Sequence, residues 1–441
     1  MKTFSLRPLP LRIIFPLAVI AGLSALGWLV VRLTIGDSIM TFVERNTNLS
    51  PQARLEGADT AASYAGRDPR MHLGRGAVYL AAANEEQSEE RLTTALAELR
   101  IAAAMTPEDY RTWMTLGRAL DRGGRTAEAE VALRRAVHLA PRHFDPRWAL
   151  ANHLLRTGER DAAFADFRQA LEERPAALPL VFDYAWNAFQ KDGQGDGRAI
   201  ASAVALASES RAQLISLLIA RNRFADALTI WRETSKRTEA DAKAVATAFF
   251  NVQQMAAAYE VWTSVASADR PAPDEDSLLA NGDFENPLSL NSDVPFLTWR
   301  IVPIGGIKIS ADRKEPQSGR QALRLSFDLS GNIPFTTAAQ TVPAKPSTNY
   351  VLSYAVRAEE LKSLSMPFVE VFDATDGNRF RAAAPLPSST QTWKPQEIKF
   401  TTDAKTEAVT VHIQRPPCAE APCPVNGRVW LDAFKLKETE K

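Results

Sequence analysis

The chain has 441 residues, 45% of them apolar and 24% charged, with 52 basic and 52 acidic side chains. Such a composition supports buried cores in two or three domains. A formal net charge of zero argues against a nucleic-acid binder, which carries a basic surplus on at least one domain. The five histidines (His72, His138, His143, His153 and His412) lack metal-ligand spacing, since His143 and His153 do not share a helix face.

The first predicted element runs from Ile13 to Val31 without a charge, between Arg12 and Arg32. At ~1.5 Å per residue it covers roughly 28 Å, close to a bilayer's hydrocarbon core. A cleaved signal peptide is the competing reading, but its apolar region is shorter and ends in a small-x-small site that is missing here. The segment therefore predicts a transmembrane helix over 13–35 behind a cytoplasmic tail, 1–12. Lys2, Arg7 and Arg12 precede the span with no acid among them, so the positive-inside bias puts the bulk of the chain across the membrane. The composition has a bacterial look. The expected location is thus a single-pass inner-membrane protein with its bulk in the periplasm.

Residues 37–270 read as helix-rich. Trp113, Leu116, Gly117, Leu120, Ala129, Leu133, Ala136 and Pro141 form a pattern with a counterpart thirty-four residues on. Leu150, Ala151, Leu154, Ala163, Phe167, Ala170 and Pro175 make up that counterpart, and Ala95, Leu99, Ala102 and Pro107 extend it backwards. Small residues let paired helices approach closely, and each proline closes a unit because it cannot continue the helix behind it. Gly123, Gly124 and Gly158 mark turns inside the units. The pattern weakens outwards: Glu86 stands where a bulky apolar residue is expected, and Ala227 and Trp231 return as Ala258 and Trp262 at a shorter spacing. Residues 191–197 form a Gly-rich break, and 50–75 would supply a capping helix.

This period with these residue types resembles the tetratricopeptide repeat, a helix–turn–helix unit. The resemblance implies a right-handed solenoid of four to six helix pairs and a concave groove lined by the first helix of each pair. Carried over position by position, the groove comprises Arg111, Met114, Arg118, Asp121, Asp145, Trp148, Asn152 and Arg156. Its arginines and asparagine suit carboxylate or phosphate oxygens of a protein partner, and Trp148 could anchor one. The plainer alternative is a solvated helix face with Trp148 packed on its neighbour.

A proline- and acid-rich linker, 271–277, precedes a change of period. Leu323, Leu325, Phe327 and Leu329 alternate with polar residues, as do Tyr350, Leu352, Tyr354 and Val356, and Val409, Val411 and Ile413. Several short strands without a helical pattern predict an antiparallel β-sandwich over 278–438. Within it, Asn281-Gly282-Asp283-Phe284-Glu285, Trp299, Ser318-Gly319, Ala322-Leu323, Trp393, Phe400 and Trp430-Leu431-Asp432 occur in an order that resembles the jelly-roll, galactose-binding-like carbohydrate-binding modules. That resemblance implies a structural Ca²⁺ held by Asp283, Glu285 and Asp432, against the alternative of ordinary turn and strand-end groups. It also implies an aromatic and amide platform for sugar drawn from Trp299, Phe335, Phe380, Trp393 and Gln414, although this fold commonly places such tryptophans in its core. Cys418 and Cys423, the only cysteines, sit in a proline-bracketed loop outside the cytoplasm, which points to a local disulfide.

No nucleophile elbow, phosphate-binding loop, HExxH pair or Cys–His arrangement occurs, so the chain is not expected to be an enzyme. The expected function is a membrane-anchored envelope scaffold. Its repeats would bind a protein partner and its sandwich polysaccharide, in exopolysaccharide or O-antigen assembly or export. Two alternatives are an assembly factor with a purely structural or protein-binding sandwich, and an accessory subunit of a glycan-active enzyme.

Overall fold

The computed structural model describes residues 9–46, 48–191, 193–204, 208–266, 272–290 and 296–439. Most of the predicted cytoplasmic tail and the start of the linker lie outside the described residues. The chain divides into two compact units, Met1–Ala205 and Leu206–Lys441.

The first unit consists of consecutive helices: α1 (Leu9–Arg45), α2 (Pro51–Ala65), α3 (Pro69–Glu86), α4 (Glu89–Met105), α5 (Tyr110–Arg122), α6 (Thr126–Leu139), α7 (Phe144–Thr157), α8 (Arg160–Glu173), α9 (Leu178–Ala188) and α10 (Gly197–Val204). The predicted break holds a small hairpin of β1 (Gln190–Lys191) and β2 (Gln194–Gly195). Neighbours pack in antiparallel pairs, as a tetratricopeptide-type array requires. The second helix of each pair keeps the thirty-four-residue register: Ala95, Ala129 and Ala163 are fully buried, as are Leu99, Leu133 and Phe167 one turn on. Gly117 is small for a reason, because a Cβ there would lie 2.6 Å from the Leu133 side chain. The pairs also end alike. Thr106, Ala140 and Arg174 have φ/ψ of −130/69, −136/67 and −130/76. Each precedes a proline, whose ring drives the preceding residue out of the helical region.

Helix α1 holds the main departure from expectation. Its stretch from Ile14 has a mean hydropathy of 2.3 and is long and apolar enough to cross a membrane, a description that also fits a signal sequence. The same helix then runs unbroken into the repeats. Gly36, Met40 and Val43, spaced one helical face apart, are buried. A Cβ on Gly36 would meet Ala65 at 2.9 Å, and one on Gly74 would meet the Met40 sulfur at 2.6 Å. The array therefore begins within α1, and 50–75 is not a lone cap but α2 followed by the start of α3.

The second unit opens with α11 (Ser208–Ala220), α12 (Phe224–Glu233), α13 (Glu239–Asn251) and α14 (Met255–Thr263). Trp231 and Trp262, the repeated tryptophans, are buried among them. The sandwich follows, with β3 (Ser289–Leu290), β4 (Arg300–Ile301), β5 (Ile307–Asp312), β6 (Ala322–Leu329), β7 (Phe335–Pro343), β8 (Asn349–Ser363), β9 (Phe368–Asp373), β10 (Arg381–Pro385), β11 (Gln391–Thr401), β12 (Ala408–Arg415) and β13 (Val425–Glu438). One sheet has the order β10-β9-β12-β7-β4-β3 and the other β11-β8-β13-β6-β5. All pairings are antiparallel except the short β3–β4 edge. Between the sheets, Phe434 packs against Phe284, Trp299 and Tyr354, with ring centroids 5.8, 5.4 and 4.9 Å away.

The α13–α14 hairpin belongs to this unit and is docked on the sandwich. Phe296 stands edge-on to both Phe250 and Tyr259 at 5.4 Å, and the Glu407 carboxylate accepts the Ala256 N–H at 2.8 Å. Asp274, from the acidic linker, accepts the N–H groups of Asn281 and Gly282, so the end of the linker is part of the fold.

Candidate functional site

The side-chain alternation of β9 and β12 defines the site. Val369, Val371, Val409, Val411 and Ile413 point inward and are wholly buried. With a period of two, Glu370 and Phe372 on β9 and His412 and Gln414 on β12 must occupy the opposite face of the six-stranded sheet. Register completes the cluster: His412 pairs with Glu370, Glu370 with Ala383 and Phe372 with Arg381.

Glu370 is the hub. One of its oxygens, Oε2, lies 2.7 Å from His412 Nε2, 2.6 Å from Gln414 Nε2 and 3.3 Å from Arg381 Nη1. The Phe372 ring is flanked by the His412 ring at 4.8 Å and the Arg381 guanidinium at 5.3 Å. Burial pushes the His412 imidazole below its ordinary value, and Glu370 only partly opposes this. The neutral imidazole then donates from Nε2 to the carboxylate, which leaves Nδ1 as an acceptor. Gln414 likewise donates its amide N–H and keeps its carbonyl oxygen. Glu370 and His412 form the floor, while Arg381 is half exposed above it. A ring face beside fixed acceptors and a forked donor suits a neutral polyhydroxylated ligand.

Of the predicted sugar platform, Gln414 belongs to this cluster. Trp299 does not: it is 2% exposed, its indole N–H donates to the Asn281 carbonyl, and its faces meet Phe284 and Phe434. Phe335 is buried and stacked on Phe327. These two rings are core: Phe335 occupies an inward position of β7, and Trp299 packs there just ahead of β4. Phe380 stacks on Phe400, and Trp393 donates to the Glu315 carbonyl beside Arg357, both away from Glu370. Sequence reading missed Glu370, Phe372, Arg381 and His412. The signal was available in the polar positions alternating with Val369, Val371, Val409 and Val411.

The predicted calcium ligands do not fit a cation. Asp432 accepts the N–H groups of Gln317, Ser318 and Ala433 and the Ser318 hydroxyl. Glu285 accepts the N–H groups of Arg320 and Gln321, which hold its carboxyl below the usual range. Asp283 accepts the Glu285 N–H. Their oxygens face N–H donors, and among the described residues no group of three or more His, Cys, Asp or Glu side chains is placed to hold a metal ion. The two carboxylates instead brace the 317–321 loop. Cys418 and Cys423 are disulfide-bonded. Buried Arg415 donates to the carbonyls of Ile333, Ser365 and Cys423 around this loop.

In the helical unit, the predicted groove residues divide. Trp148 is stacked on Phe144 at 5.0 Å and edge-on to Phe167 at 5.0 Å, as part of an aromatic cluster rather than a free anchor. Asn152 donates to the Trp148 carbonyl, and Arg111 is held by Asp109. Asp121 takes His153 Nδ1 at 2.7 Å and also Arg156. Asp145 lies 3.9 Å from Arg174, and Met114 is half-buried. Arg118 is exposed and has no ion-pair partner among the described residues.

No family model and no curated protein matches the chain. Solved structures resemble parts of it. They include the enzymatically active domain of bacteriophage CBA120 tailspike protein 4, at 11% identity over 37% of this chain and 22% of that one, with a TM-score of 0.29. A carbohydrate-binding module, TmCBM61, in complex with β-1,4-galactotriose is 17% identical over 37% of this chain and 99% of that one, with a TM-score of 0.27. MamA is 15% identical over 48% of this chain and 97% of that one, with a TM-score of 0.29. With TM-scores this low none of these likenesses bears on function. The fold class, a helical repeat array followed by an antiparallel β-sandwich, rests on the elements described above.

Proposed function

We propose that this protein is a non-catalytic scaffold of the bacterial cell envelope. Its helical repeats hold a protein partner, and the outer face of its six-stranded sheet holds a glycan. The observation that carries the glycan reading is the cluster of Glu370, His412, Gln414, Arg381 and Phe372. It combines an aromatic ring with hydrogen-bonding groups of both polarities on the outer face of one sheet, with Arg381 half exposed. Continuity of α1 with the repeats supports an uncleaved anchor, since the helix is built into the fold beyond its apolar stretch. A disulfide between Cys418 and Cys423 fits an extracytoplasmic sandwich. Exopolysaccharide or O-antigen assembly or export would use both modules.

The test is affinity electrophoresis of the detergent-solubilised full-length protein through gels containing a panel of neutral and acidic polysaccharides. Retardation by at least one polysaccharide, lost in Arg381→Ala and Phe372→Ala, is expected. Unretarded migration on every polysaccharide would overturn the glycan half of the proposal.

A further inference from the structure

A second site lies where the α13–α14 hairpin meets the sandwich loops. An open cavity of about 790 Å³ is lined on one side by Gln253, Gln254 and Tyr259, and on the other by Arg379, Lys405 and Thr406. That volume is within the roughly 300–1,000 Å³ range of small-molecule sites. Its walls are fixed by the Phe296 wedge between Phe250 and Tyr259 and by the Glu407–Ala256 hydrogen bond.

The hydrogen-bonding groups of the lining point to a ligand class. Each acid at this cavity already accepts a hydrogen bond. Glu260 is bound through both oxygens by Arg232 at 2.6 Å, and Glu407 caps α14. Asp373, behind the lining, takes the Thr406 hydroxyl at 2.6 Å and the N–H groups of Thr375 and Asp376. Arg379 donates to the Lys405 carbonyl and lies 3.6 Å from Asp373. The Lys405 ammonium has no carboxylate partner among the described residues, and the side-chain amides of Gln253 and Gln254 are likewise uncommitted. An ammonium without an ion-pair partner, lining one cavity with two amides and a phenol, matches a carboxylate flanked by hydroxyls.

We propose that this cavity binds a carboxylate-bearing saccharide, of the uronic-acid type, separately from the neutral-sugar face around Glu370. Lys405 pairs with the carboxylate, and Gln253 and Gln254 take the hydroxyls. The site exists only where hairpin and sandwich are present together, so it belongs to neither element alone.

Isothermal titration of the full-length protein in detergent with trigalacturonate and with neutral galactotriose tests this. Trigalacturonate binding should weaken at least about tenfold in Lys405→Ala, as expected for loss of a charged hydrogen bond, and should weaken as salt is raised. Gln254→Ala should weaken it as well, while Arg381→Ala leaves it unchanged. Undetectable binding of trigalacturonate overturns the inference, as does binding that Lys405→Ala and salt leave intact. Binding lost only in Arg381→Ala overturns it too, by moving the acid saccharide to the sheet face.

Discussion

In the helical unit, charged side chains answer one another across neighbouring helices. Arg54 donates twice to Glu85, Arg75 bridges Asp59 and Glu98, and Arg70 meets Asp37. On the six-stranded sheet, a single buried carboxylate gathers an imidazole, an amide and a guanidinium, and only the guanidinium is half exposed. The first arrangement fixes the stacking of one helix pair on the next. The second is the arrangement on which the proposed glycan site rests. A charged groove in a repeat protein is therefore weak evidence for a partner until its internal pairs are subtracted, and here the subtraction leaves Arg118 as the clearest remaining candidate.

The sharpest break of this comparison is at Trp148. If it is a member of the aromatic cluster, Trp148→Ala should cost about 3–5 kcal/mol of stability, the range for truncating a packed ring, measured as a shift in the denaturant midpoint. A free anchor would cost far less. Next is Glu370→Ala, which strands the donors of buried His412 and part-buried Gln414. It should lower stability by about 1–3 kcal/mol and abolish neutral-glycan retardation.

A pH series sharpens the contrast further. The folded-state pKa of His412 is depressed below the ordinary 6.5. Its contribution is therefore present above pH 6.5 and is lost as pH falls toward the folded value, because the unfolded imidazole takes up a proton that the folded one refuses. Urea midpoints of the second unit's transition should fall between about pH 7 and pH 5, and His412→Gln should flatten that fall. Arg118→Ala, by contrast, should move stability by no more than about 0.5 kcal/mol while weakening co-purification of a protein partner. The smallest expected effect is that of EDTA. Because Asp432 and Glu285 are engaged by N–H donors, chelation should leave the melting temperature unchanged, and a drop would restore the calcium assignment.

Much of the fold was legible in the sequence because it depends on period. Ala129, Leu133 and Ala136 with their counterparts announce a helix pair, and Leu323 to Leu329 announces a strand half-buried on one face. The α1 junction was not legible, since hydropathy marks where Ile14 onward is apolar but not that Gly36, Met40 and Val43 share a face with the repeats. The site was half legible. Gln414 stood out as an amide suited to sugar hydroxyls, whereas Glu370 and His412 become partners only through the β9–β12 register, forty-two residues apart. Phe335 misled for a related reason, since ring chemistry alone does not say which side of a strand a ring occupies, whereas Trp299 lies in the core where this fold commonly places such a tryptophan.

Helix α1 enters the repeat array without a hinge, and that has a mechanical consequence. Its 37 residues make a rod of roughly 55 Å at ~1.5 Å per residue. The glycine contacts at Gly36 and Gly74 clamp its far end. In a bilayer, such a rod leans to match its apolar length to the hydrocarbon thickness. Were its apolar stretch to span a membrane, any tilt it took would be passed on to the repeats.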